Sequence, residues 1–242
     1  MKGVLLSINS EVRLLDLTHG IPPQDLQFAG YFLRHCLTYF PAGTLHLVVV
    51  DPGVGSNRAL LYVEVAGQRL VVPDNGCWTP LGEATCVRRL ENASYWRHPV
   101  SNTFHGRDIL APVAGHLSLG LDPAQLGPVA TTWVRLPWPL PQCTATEIRG
   151  EVLFIDHFGN LITNIPAEWL PASSPSLRIV IGEHEVLRWC LTYAEAQPGE
   201  LIALGSSGGL LEIAVAQGNA AKLLQPGNQS PVRVDLRETQ AR

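Results

Sequence analysis

The order of segments in this chain predicts an α/β N-terminal domain followed by a mainly β, barrel-like C-terminal domain. Three observations carry that expectation. A helical pattern between Leu26 and Tyr39 leads into the β-branched run Val48, Val49, Val50, the helix-then-strand sequence of an α/β unit. A stretch with Pro128, Pro137, Pro139, Pro141, Trp133 and Trp138 interrupts all periodicity. Beyond it come short apolar runs separated by turn residues, the pattern of a small barrel or sandwich. The implied division is an α/β domain over residues 1–130, a Pro-rich linker over 131–146 and a β domain over 147–242.

Composition narrows the classes of function. The 242 residues are 46% hydrophobic and only 16% charged, enough for a substantial core and unlike a disordered chain. A net charge of -4 with a pI near 6.0 argues against binding a phosphate backbone. No apolar run approaches the roughly 20 residues of a membrane span. The apolar start Val4-Leu5-Leu6 is broken too early, at Ser7, Asn9 and Glu11, to be a signal peptide. Cys36, Cys77, Cys86, Cys143 and Cys190 are odd in number and scattered, which suits a reduced, cytoplasmic setting without structural zinc.

Taken in order, Met1 to Ile8 reads as the tail of a helix and Val12 to Leu17 as a strand, with a turn at Thr18-His-Gly-Ile-Pro-Pro23. Asp25 can cap the next helix, in which Phe28, Tyr31, Phe32 and Cys36 recur at helical spacing. The run Val48 to Val50 reads as a strand buried on both faces, broken by Asp51-Pro-Gly-Val-Gly-Ser-Asn-Arg58. Sites in α/β sheets gather at the carboxyl ends of strands, so Asp51 and Arg58 are candidates for chemistry. The same loop fits an ordinary surface turn with one ion pair equally well.

Two short strands follow, Leu60 to Val65 and Arg69 to Val72, then the turn Pro73-Asp-Asn-Gly76, whose composition is explained by structure alone. Ser101-Asn-Thr-Phe-His-Gly-Arg-Asp108 opens an apolar helix from about Arg107 to Leu117. That puts His105 at a helix N-terminus, where the dipole disfavours imidazolium, and makes Arg107 and Asp108 an orienting pair. In the C-terminal half the expected strands are Glu147 to Ile155, Leu161 to Ile165, Leu177 to Ile181, Leu201 to Leu204, Leu211 to Ala216 and Val232 to Leu236. Two turns among them could meet a ligand: Asp156-His-Phe-Gly-Asn160 and the small-residue turn Gly205-Ser-Ser-Gly-Gly209. Dinucleotide, P-loop, nucleophile-elbow and zinc-protease motifs are absent from the sequence.

Read together, Asp51 to Arg58, Pro73-Asp-Asn-Gly76, Thr103-Phe-His-Gly-Arg-Asp108, Asp156-His-Phe-Gly-Asn-Leu-Ile-Thr-Asn164 and Leu211-Glu-Ile-Ala-Val215 resemble the S-adenosyl-L-methionine hydroxide adenosyltransferase family. These are adenosine-forming hydrolases related to halogenating adenosyltransferases. The resemblance implies a homotrimer, no cofactor, no metal, and S-adenosyl-L-methionine as substrate. It implies that Asp51, Arg58 and His105 hold the attacking water, where halogenating relatives carry tyrosines at the positions of Asp51 and His105. It implies that Phe104, Asp156, Phe158, Asn160, Ser207, Glu212 and Val215 meet the adenosyl group. It also implies a strand and a Thr-Asp-Phe-Gly-like, ribose-binding segment ahead of Met1-Lys2-Gly3. A misplaced start and a true truncation are the two accounts of its absence, and the second would favour a non-catalytic adenosyl-binding protein. A different hydrolase using the same pocket is a third reading.

Overall fold

The computed structural model describes residues 1–170, 177–227 and 229–236, which divide into two compact units at Pro137/Trp138. In the first, the strands β1 (Leu45–Leu47), β2 (Leu60–Val65), β3 (Gln68–Pro73) and β4 (Ala84–Arg89) form one sheet in the order β1-β3-β2-β4. Only the β1–β3 pair is parallel. The two-residue turn Ala66-Gly67, both at positive φ, suits the twist of the β2–β3 hairpin.

Both faces of this sheet are covered, which is why β2 and β3 are apolar almost throughout. Leu61, Val63, Leu70 and Val72 face one core with Ala29 and Leu33 of helix α2 (Leu26–Cys36). Leu60, Tyr62 and Val71 alternate to the other face, against helix α1 (Lys2–Ile8) and helix α3 (Ala111–Ser118). Asp25 caps α2 as expected, its carboxylate accepting from the Phe28 amide at 2.8 Å.

Lys2–Ile8 is helical as expected and packs so closely on α3 that Ile8 fills the space beside Gly115. Two expectations are corrected here. Val12 to Leu17 forms no strand: no described strand lies alongside it, Leu14 packs into the core and Leu15 and Leu17 are exposed. The run Val48 to Val50 is not a strand buried on both faces: β1 ends at Leu47 and the run leads out of it toward the loop, so Val49 and Val50 lie beyond the ladder. Val48 is buried and its amide still bonds to the Val71 carbonyl at 3.0 Å, whereas Val49 is exposed.

The Pro-rich stretch is not free of the domains it joins. Trp133 stacks at 5.7 Å on the buried Trp78, and the amides of Val134 and Leu136 donate to Asp74 and Thr79. Further on, β5 (Gln142–Cys143) pairs with β6 (Glu147–Ile155).

The second unit adds β7 (Leu161–Pro166), β8 (Arg178–Ile181), β9 (His184–Val186), β10 (Leu201–Gly205), β11 (Leu210–Val215) and β12 (Pro231–Asp235), in the order β10-β11-β7-β6-β12-β8-β9. All ladders are antiparallel. The segment after β9 bridges to β10 at Trp189 and Ala203, so the sheet nearly closes into a barrel around Ile148, Leu161, Ile165, Ile179, Ile213 and Val234. Helix α4 (Ala220–Leu224) packs Ala220 and Leu224 into that core. Among the described residues no helix is long and apolar enough to cross a membrane.

Candidate active site

Each unit carries a polar cluster that contains candidate site residues. In the first, the chain leaves β1, and Asn75 donates its side-chain amide to the Val50 carbonyl at 2.8 Å, pinning the residue before Asp51. Asp51 and Arg58 then face each other across their loop. Arg58 Nε donates to Asp51 Oδ1 at 2.6 Å and its Nη2 to Oδ2, a two-bond fork with both side chains over nine-tenths buried. The loop closes on itself through Ser56, whose amide and hydroxyl both bond to the Gly53 carbonyl.

His105 arrives from a different segment. Gly106–Leu110 forms a wide π-helical turn, closed by the Ala111 amide on the Gly106 carbonyl, which runs directly into α3. This turn puts His105 Nδ1 at 3.3 Å from both Arg58 Nη1 and Nη2. Approach of the two loops depends on Gly55. Its φ is +84°, and a Cβ there would stand 2.7 Å from the Asn102 carbonyl oxygen.

The tautomer follows from donor count. A guanidinium has only donors, so the Nδ1 it faces must accept, and the proton of the neutral ring sits on Nε2. The His105 pKa lies below its ordinary value, first through burial, then through the Arg58 charge, with Asp51 and Asp108 opposing. The helix-terminus argument pointed the same way. Phe104, adjacent, is exposed and lies under the Arg107 guanidinium, 5.0 Å from ring centroid to Cζ.

In the second unit the Asp156-His-Phe-Gly-Asn160 turn joins β6 to β7. Asp156 Oδ1 accepts from the amides of Phe158 at 2.8 Å and Asn160 at 2.9 Å, and its Oδ2 from Asn160 Nδ2 at 3.1 Å. Gly159, at φ +87°, abuts Asn219, which caps α4; an added Cβ would overlap that side chain at 2.1 Å. Phe158 is left exposed. Tyr193 links the turn to β11, accepting from Asn160 Nδ2 at 3.5 Å and donating to Glu212 Oε1. Glu212 is buried and its pKa is raised, mainly by that burial and further by Asp156, while the Tyr193 bond opposes.

Asp51, Arg58 and His105 are therefore brought together, as are Asp156, Asn160 and Glu212. Ser207 is exposed in the β10–β11 turn, where the neighbouring Ser206 hydroxyl is engaged by the Leu210 amide. Val215 points its side chain into the barrel core, on the opposite face of β11 from Glu212. Tyr193 was not found from sequence, since it lies in an irregular segment with no motif. Asn75 was read only as a turn residue, and the one available signal was its Asp-Asn-Gly context beside an apolar strand. Among the described residues no three His, Cys, Asp or Glu side chains gather as a metal site.

Residues 1–127 match the SAM hydroxide adenosyltransferase N-terminal domain, and residues 150–233 match the SAM hydroxide adenosyltransferase C-terminal domain. The chain belongs to the SAM hydroxide adenosyltransferase family. It is 38% identical over 235 residues to the (R)-S-adenosyl-L-methionine hydrolase of Salinispora arenicola, covering 94% of this chain and 88% of that one. It is 38% identical over 246 residues to the protein of the same name in Thermus thermophilus, covering 97% and 92%. An uncharacterized conserved protein from Thermotoga maritima has a similar crystal structure, with a TM-score of 0.87 at 32% identity, covering 96% of this chain and 92% of that one.

Proposed function

We propose that this chain hydrolyses S-adenosyl-L-methionine to adenosine and L-methionine, by attack of water on C5′ of the adenosyl group. The observation that carries the reading is the Asp51–Arg58–His105 cluster, three polar side chains from two loops meeting around one guanidinium. Family membership and the names of the relatives support the same activity.

The chemistry asks little of an acid and much of geometry. The new bond is water oxygen to C5′; the bond that breaks is C5′ to sulfur, its electron pair returning to sulfur as the neutral thioether of methionine. A neutral leaving group needs no proton, and the step as written needs no metal or cofactor. What remains is to hold one water in line with C5′ and take up its proton. Asp51 accepts a hydrogen bond from that water and then its proton, which passes to solvent. Arg58 fixes the carboxylate and offsets its charge. His105, its Nδ1 turned to Arg58, presents Nε2–H as a donor that fixes the water oxygen. Unactivated water is a poor nucleophile, so positioning must supply most of the rate.

For substrate contact we assign Phe104 to the pocket wall and Asp156, Phe158, Asn160, Ser207 and Glu212 to the adenosyl group, with Val215 backing that wall from the core. Homotrimeric assembly follows the family resemblance and is tested by sedimentation. A cytoplasmic setting is supported by five cysteines that stand as free thiols. The deciding experiment incubates the purified chain with S-adenosyl-L-methionine, with and without chelator, and follows adenosine and methionine by chromatography. Equimolar products that disappear in Asp51→Ala support the reading. Substrate bound without adenosine release would instead support the non-catalytic alternative.

A further inference from the structure

Asp108 is fully buried beside the site, and its charge is not used by the reaction as written above. Its carboxylate is saturated: Oδ1 accepts from Arg107 Nε at 2.7 Å and Arg97 Nη1 at 3.1 Å, and Oδ2 from Arg107 Nη2 at 2.7 Å and the Ser101 amide at 2.9 Å. Arg107 above all holds the carboxyl far below the usual carboxylate range, against burial that would raise it. All four donors come from residues 97–107, the segment that carries Phe104 and His105. None comes from the core elements that a purely stabilising buried charge would be expected to tie together.

The loop itself is loosely held without this carboxylate. Within it, the Phe104 amide reaches the Ser101 carbonyl and the Thr103 amide reaches the Ser101 hydroxyl, each at only 3.4 Å. Bonds of 2.7 to 3.1 Å from this segment end on the Asp108 carboxylate. From there Arg107 spreads its guanidinium over the Phe104 ring, and the amides of Arg107 and Asp108 both bond to the Phe104 carbonyl at 3.0 Å. Phe104 is thus gripped through its ring and its main chain by two residues within the π-helical turn. His105 follows directly.

We propose that Asp108 is a positioning residue for the hydrolysis: through Arg107 and the Ser101 amide it sets the loop that aims His105 Nδ1 at Arg58 and holds Phe104 in place. This rests on the reading of His105 and Phe104 given above. A wall residue and the water-holding histidine then share one anchor, so substrate placement and water placement are fixed together.

Asp108→Asn is the test. It keeps the shape and removes the charge, and both arginines reach solvent, so neither cation is stranded. Two readouts are taken: kcat and KM with S-adenosyl-L-methionine, and the ring-nitrogen resonances of His105, which report its tautomer and the Nδ1 contact. The expected result is a loss of about 100-fold in kcat, the scale of an ångström of misplacement, together with loss of the Nε2–H tautomer signature. The acid limb of the rate profile should also move to lower pH, because of the charges facing His105, Asp51 and Asp108 are acidic and Arg58 is basic, and one of the acids is gone.

A kcat within about threefold of the parent, with unchanged His105 resonances and only a lower melting temperature, overturns the proposal and leaves Asp108 structural. A parent that releases no adenosine refutes the hydrolase reading instead. The resonances still decide the positioning claim in that case. If Asp108→Asn does not fold, Arg107→Ala carries the test, since Asp108 keeps Arg97 and Ser101. Released Phe104 should raise KM and shift the His105 signals; no change in either overturns the proposal.

Discussion

Arg58→Lys asks whether the guanidinium acts by charge or by shape. Removing the charge altogether would leave Asp51 buried and unpaired, at a cost of about 3–5 kcal/mol that would confuse catalysis with folding. Lysine keeps the charge but offers a single point donor where arginine offers a planar fork. In the native site Arg58 makes two bonds to Asp51 and directs both terminal nitrogens at His105 Nδ1. A lysine ammonium can retain one carboxylate bond. The variant loses one charge-assisted bond, about 1.5–3 kcal/mol, and the donor to His105, about 1 kcal/mol. Summed to about 2.5–4 kcal/mol, this is a fall of about 10²–10³-fold in kcat at about 1.36 kcal/mol per decade. Steady-state adenosine release, with circular dichroism and a thermal melt to verify the fold, measures it. A kcat within about threefold of the parent in a folded variant would mean that charge alone suffices and that the fork geometry is irrelevant to the reaction.

Three other outcomes follow from the same geometry. Because the His105 pKa lies below its ordinary 6.5 and the neutral ring is the working form, kcat/KM should stay flat as pH falls from neutrality through 6.5 and drop only below it; an acid limb centred above 6.5 contradicts the assignment. Gly55→Ala puts a Cβ against the Asn102 carbonyl at a positive-φ position, so kcat should fall about 10- to 100-fold as the two loops are pushed apart, and parent-level turnover would show that their close approach is dispensable. Glu212→Gln should raise the melting temperature at pH 7 by about 2–4 °C, for about 1 kcal/mol. The native carboxyl binds its proton more tightly than the unfolded one. Its contribution is therefore present below the ordinary 4.5 and lost as pH rises through the raised folded value, so the gain from glutamine should vanish in melts near pH 4.5.

Much of this was legible in the chain, for physical reasons that differ between its halves. The barrel strands show up because apolar and turn residues alternate with little ambiguity; Glu147–Ile155 is bounded on both sides by turn chemistry. The run Val48 to Val50 was misread because three consecutive β-branched residues fit a buried strand, and a sequence window does not show that pairing stops at Leu47. Val12 to Leu17 has a strand's pattern but pairs with no described strand, and a sequence window cannot count partners. The Asp51–Arg58 pair could be anticipated because both residues sit in one loop. Its contact with His105, 47 positions later, was suggested only by family resemblance, since no local spacing encodes it. Tyr193 marks the limit: its hydroxyl matters because of where β11 places Glu212.

A common logic runs through both polar clusters. Asp51 is forked by Arg58, Asp156 is bonded by the amides of its own turn, and Glu212 holds the Tyr193 hydroxyl. For Asp51 and Asp156 the fold supplies donors to the carboxylate before any substrate arrives, whereas the single Tyr193 bond leaves the desolvation of Glu212 only partly offset. Such groups are held still. That suits a reaction whose leaving group is already activated as a sulfonium and whose difficulty is the placement of one weak nucleophile. It also explains why charge-preserving changes such as Arg58→Lys should cost activity: the charge survives them, and the direction in which it points does not.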